Sequence, residues 1–129
     1  MEHPLVQALW VGVGGFVGTA LRYLVSGWTY RLVPNAIFPW GTLTVNVVGC
    51  LMLGLLGGLA DFRGALSANT RLFVFIGVLG GFTTFSTFAF ETVSLSDGAQ
   101  ALRAVANVAG HLILGLGAAW LGYHGARLV

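Results

Sequence analysis

GGFTTFSTFAFE, Gly80 to Glu91, places a glycine pair, four hydroxyl side chains, four phenylalanines and one carboxylate in a long apolar run. The run opens at Arg71, so Gly80 lies about 14 Å along a helix and Thr83 about 18 Å along it. That is near the middle of a hydrocarbon core about 30 Å thick. Adjacent glycines are weak helix formers, and threonine hydroxyls compete for backbone groups. The residues leave two readings: an unbroken helix with a close-packed Gly-Gly face, or a helix broken at the midplane. A break at that depth is tolerated only where it is buried in protein or lines a cavity. It would free carbonyls, which suit cations, at the end of one half-helix, and N–H groups, which suit anions, at the start of the next. Beyond it, Phe85 and Phe88 at i, i+3 share one face, and Thr84, Thr87 and Glu91 share another. Phenyl rings carry positive edges. Ring edges beside hydroxyl donors suit a small anion without a fixed positive charge that would trap it. Phe82 and Phe90 read as packing aromatics.

The rest of the chain agrees with that depth. Of 129 residues, 57% are apolar and 8% charged, against roughly 25% charged in a soluble domain. This composition predicts an all-α membrane protein, one domain over 1–129. Four segments reach the length needed to span, about 5–27, 37–60, 71–95 and 100–124. Pro39 falls in the first turn of the second, where a missing N–H costs little. The connections are short, so neighbouring spans run antiparallel. The first apolar run lacks a basic leader and a small-residue cleavage site, which predicts a retained helix. Gly14 with Gly18, Gly54 with Gly58 and Gly77 with Gly81 have the spacing that lets helix backbones approach in lipid. GVGGFVG, residues 12–18, misses the last glycine of a dinucleotide loop and lies inside a span. Cys50 is the sole cysteine and, among valines and leucine, reads as a buried thiol.

The charges are few: six arginines and four acids, net +2. They form no basic stripe, which argues against a nucleic-acid partner. With four spans, Arg63, Arg71 and Arg127 fall on one side and Arg22, Arg31 and Arg103 on the other. Such a tie gives the positive-inside rule nothing to act on. Either residues placed at span ends are miscounted or other signals orient the chain, or it inserts both ways and works as an antiparallel, dual-topology homodimer. Four short spans wall a pathway poorly, which favours the dimer.

Polar side chains within spans tend to mark function. Asn46 sits mid-span in the second helix and either bridges helices or lines a polar path. Arg22 lies about 26 Å beyond Leu5, near the interface, where it snorkels or collects anions at a mouth. Asn107 and His111 are one turn apart on the fourth span. No metal-ligand cluster and no nucleophile–base set is evident, so an enzyme is not expected.

GGFTTFSTFAFE resembles the third-helix signature of the Fluc (CrcB) fluoride channel family. PWGTLTVNVVG, Pro39 to Gly49, resembles that family's second helix, and GGFVGTALRY, Gly14 to Tyr23, its first. The resemblance covers nearly the whole chain. It implies a dual-topology antiparallel homodimer, in the inner membrane of a prokaryote, passing fluoride down its gradient through two pores. It implies a broken third helix whose carbonyls, on Gly80 and Thr83, hold a structural sodium ion at the dimer axis. It puts the pore phenylalanines on Phe85 and Phe88, the pore asparagine on Asn46 and the vestibule arginine on Arg22. Thr84, Thr87 and Glu91 become the hydroxyl track and its closing acid. The fourth helix departs: where the family often has Ser or Thr, this chain has Asn107 and His111. Both donate hydrogen bonds, and a histidine can also be protonated, which predicts pH-sensitive conduction.

Two other classes fit length and span count. A small dual-topology exporter of cationic compounds would want a carboxylate deep in its first span, and that span has none. A non-conducting assembly subunit would have no use for a hydroxyl-rich, broken third helix.

Overall fold

A computed structural model describes residues 3–64, 66–97 and 100–128. Helix α1 is Pro4–Leu32 and α2 is Trp40–Arg63. Helix α3 is built of three contiguous stretches, Ala68–Arg71, a π-helical Leu72–Leu79 and Gly80–Phe82. Helix α4 is Phe85–Asp97 and α5 is Ala101–Gly125. The turn between α4 and α5 includes 98–99, outside the described residues. Counting α3 and α4 as one interrupted span, four helices among the described residues are long and apolar enough to cross a membrane. The protein is a multi-pass, all-helical membrane protein.

Local chemistry sets the helix ends. His3 accepts from the Leu5 amide through Nδ1, and Pro4 follows at the first helical position, where its missing N–H costs nothing. Pro34 stops α1 one residue after its cap. Pro39 sits just outside α2, not in its first turn: it is the cap, and its carbonyl accepts from Leu43. Gly64, at φ +60°, closes α2 with its amide on the Ala60 carbonyl, a left-handed position that glycine takes without a Cβ penalty. Arg71 adds a second donor, Nη2, to that same carbonyl at 3.2 Å. Ser67 caps α3 by accepting from the Thr70 amide.

Glycines decide which helices touch. Helix α1 lies against α3, and a Cβ built on Gly14 would sit 2.5 Å from the Phe73 carbonyl oxygen. One on Gly81 would sit 2.7 Å from the Gly15 carbonyl. Helix α2 lies against α5, and a Cβ on Gly58 would sit 2.7 Å from the Tyr123 carbonyl. All three sequence pairs at GxxxG spacing therefore contain close-approach positions. The wide π turns of α3 bring the Phe73 and Val78 carbonyls to face Gly14 and Gly18; nothing in the sequence pattern announces this stretch. Outward, Phe16, Leu102, Ile113 and Leu116 are exposed, as lipid-facing side chains are.

Gly18→Val is expected to destabilise the protein by about 1–3 kcal/mol, the usual cost of overpacking, because the obstruction is backbone and has little room to yield. Gly12→Ala, with nothing within 4 Å, is the control. Thermal unfolding in detergent checks this; equal midpoints for both variants would refute the close approach.

Candidate functional site

The site is built around the break between α3 and α4. Thr83 is extended, with φ −87° and ψ 160°. Its amide and its Oγ1 both donate to the Leu79 carbonyl, at 3.0 Å each. The next amide, that of Thr84, would continue the helix by bonding to the Gly80 carbonyl. It donates instead to Asn46 Oδ1 at 2.8 Å, and Asn46 Nδ2 donates to the Thr84 carbonyl at 3.0 Å. One side-chain amide from α2 thus engages both backbone groups of Thr84. Thr84 then caps α4, its Oγ1 accepting from the Thr87 amide at 3.3 Å.

The carbonyls at the end of α3 look toward α1. Thr19 Oγ1 lies 3.5 Å from the Gly81 carbonyl, and Arg22 Nη1 donates to the Thr83 carbonyl at 3.4 Å. This places Arg22 differently from the expectation. At about 26 Å beyond Leu5, Arg22 is expected near an interface. The helix continues to Leu32, and Arg22 lies level with the break. With Arg22 removed from the flanking residues, the arginine tally becomes two against three, still a weak bias.

Two cavities adjoin this junction and a third lies farther along α4. The first, about 350 Å³, is lined by Asn46, Cys50, Gly80, Thr83, Thr84, Phe85, Phe88 and His111, among others. The second, about 500 Å³, is lined by Arg22, Thr84 and Thr87, with Thr19, Ser26, Tyr30 and Thr42. The third, about 350 Å³, holds Glu91 with Tyr30, Phe38 and Phe90. Thr84 belongs to the first two and Tyr30 to the last two.

The aromatic pair is in contact: the Phe85 and Phe88 rings are 5.5 Å apart between centroids. Phe88 also lies 4.3 Å from the His111 ring. Phe82, by contrast, is buried in the core, whereas Phe90 is exposed. Thr84 Oγ1 donates to Thr87 Oγ1 at 2.9 Å, so two members of the hydroxyl face are joined. Glu91 is met from another helix: Thr42 Oγ1 of α2 donates to its Oε1 at 2.7 Å. Its Oε2 is buried and without a partner among the described residues.

Asn107 lines none of these cavities. It is fully buried where α5 meets α4, its Nδ2 donating to Thr92 Oγ1 at 2.9 Å. Its carbonyl faces His111 Nδ1 at 2.9 Å. Sequence reading missed Thr42, Tyr30 and Thr92. Thr42 had a signal, being one turn before Asn46 on the same face of α2. Tyr30 and Thr92 had none beyond being polar in an apolar chain.

No cluster of three or more His, Cys, Asp or Glu side chains at metal-binding distance occurs among the described residues. What the site offers a cation is backbone. The Gly80 carbonyl has lost its helical amide to Asn46, which fits the expected sodium ligand. The Thr83 carbonyl keeps one lone pair beside the one Arg22 uses.

Residues 9–123 match the model of the CrcB-like protein, Camphor Resistance (CrcB) family. A Rhizobium etli protein named Fluoride-specific ion channel FluC is 42% identical over 118 residues, covering 92% of this chain and 94% of that protein. A Methanosarcina acetivorans protein named Fluoride-specific ion channel FluC 1 is 40% identical over 114 residues, covering 88% of this chain and 86% of that one. A Rhizobium leguminosarum bv. trifolii relative with the FluC name is 49% identical over 98 residues, 76% of this chain and 78% of its own. Likeness that runs through all four spans and the break makes this chain a member of the CrcB family.

Proposed function

We propose that this chain is a fluoride-selective channel that lets fluoride leave a prokaryotic cell passively across the inner membrane. The working unit in this reading is an antiparallel, dual-topology homodimer with two pores. The observation that carries it is the Asn46-held break, which opens beside Phe85, Phe88 and His111 while its Thr83 carbonyl meets Arg22. The names of the relatives supply the ion.

Fluoride is small and tightly hydrated, so a narrow path must replace its water with donors at each step. Arg22 draws the anion to the second cavity. The hydroxyls of Thr84, Thr87 and Thr42 then offer donors that swivel to follow it. The ring edges of Phe85 and Phe88 carry the middle of the route with partial charge only, so nothing there holds the anion permanently. Larger halides fail on size. Phe85 is 79% exposed in a single chain, which supports a second copy closing the wall. A sodium ion bound by the Gly80 and Thr83 carbonyls of both copies would tie the two breaks together and balance their carbonyl dipoles.

Purified protein in liposomes, followed with a fluoride electrode, tests the reading. Rapid fluoride release is expected, with chloride retained. Release no faster than from protein-free liposomes would overturn it.

A further inference from the structure

His111 stands where a hydroxyl would serve as a constant donor, and the structure shows a ring with a fixed orientation. A backbone carbonyl only accepts, so the 2.9 Å contact between His111 Nδ1 and the Asn107 carbonyl requires the proton on Nδ1. In the neutral ring Nε2 is then a bare acceptor. That atom is buried and has no partner among the described residues. The ring lies 4.3 Å from Phe88 and shares the cavity that Phe85 and Asn46 line. A fluoride ion reaching Nε2 meets a lone pair when the ring is neutral and an N–H donor when it is protonated.

We propose that His111 is a proton-dependent fluoride donor, closed to the anion as a neutral ring and opened by a proton on Nε2. The proposal rests on the channel reading and adds its regulation: export runs fastest when the compartment facing this cavity is acidic, the condition in which the neutral acid enters cells fastest. No neighbouring charge substitutes for that proton. Helix α4 contributes Glu91, whose Oε1 is held by Thr42 and which lines another cavity. Helix α2 contributes the Cys50 thiol on the same cavity wall, and α3 contributes no titratable side chain to it. On α5 itself no other titratable group lies between Arg103 and Tyr123.

The test is fluoride efflux from liposomes at matched internal and external pH, from about 5.5 to 8, the range in which imidazoles change charge. Protein-free liposomes give the blank, since the neutral acid crosses lipid unaided. Blank-corrected flux is expected to rise at least roughly fivefold toward acid. His111→Gln and His111→Ser, which donate at every pH, are expected to flatten the profile while eluting from gel filtration as the unmodified protein does. Nitrogen NMR of histidine-labelled protein gives a second readout, with His111→Gln assigning the signal among the three histidines. It is expected to show the neutral ring protonated at Nδ1; protonation at Nε2 overturns the proposal. A flat profile for the unmodified protein, or an unchanged slope in both variants, overturns it and leaves the channel reading intact. Absence of flux at every pH overturns the channel reading and this proposal together.

Discussion

Asn46→Leu is expected to reduce fluoride efflux to the protein-free rate. Leucine is close in size and keeps the apolar packing of α2, so the change isolates the amide. Two bonds disappear at once, the 2.8 Å acceptor contact to the Thr84 amide and the 3.0 Å donor contact to its carbonyl. Each buried backbone group left alone costs about 1–3 kcal/mol. The total, about 2–6 kcal/mol, exceeds what a non-helical Thr83–Thr84 pair can absorb at membrane depth. The chain recovers most of it by returning the Thr84 amide to the Gly80 carbonyl, which straightens the span and removes the freed carbonyl. Asn46→Leu should therefore keep or gain helix content by circular dichroism while losing flux. Flux above half the unmodified rate would show that the break does not depend on this side chain.

How much of this was legible in the sequence follows from where the information sits. The four spans are written in composition, because lipid demands about 20 apolar residues per crossing whatever the neighbours are. The contact between Phe85 and Phe88 is written in spacing, since i, i+3 on one helix leaves little freedom. The break was not decidable from residues 80–91 alone. Gly80, Gly81 and Phe82 are helical, and the interruption falls on Thr83 and Thr84, fixed by a partner 38 positions away. Glu91 shows the same limit: spacing places it on a face with Thr84 and Thr87, but its hydrogen bond comes from Thr42, 49 positions earlier. Asn107 and His111 look alike as donors one turn apart on one face, yet a rise of about 6 Å along α5 sets the first against Thr92 and the second at the cavity. Periodicity specifies which residues share a face; only packing specifies what that face meets.

Phe88→Ile is expected to slow fluoride efflux about tenfold to a hundredfold. Among the described residues, Phe88 is the one aromatic that touches both Phe85, at 5.5 Å, and His111, at 4.3 Å. Ring contacts of this kind are worth about 0.5–1.5 kcal/mol each, and about 1.4 kcal/mol corresponds to tenfold in rate. Isoleucine fills much of the volume but has no positive edge, and it leaves the His111 ring free to turn from the cavity. The same loss of contacts would also loosen α4 against α5, so rate and stability must be read together. Phe90→Ile, on an exposed ring farther along α4, supplies the comparison for helix propensity and lipid exposure. A Phe88→Ile protein that melts like Phe90→Ile but conducts far more slowly places the ring on the fluoride path. A Phe88→Ile protein that conducts like Phe90→Ile takes the aromatic pair off that path and leaves the hydroxyl face, from Thr84 through Thr87 to the Thr42–Glu91 bond, to carry the ion alone.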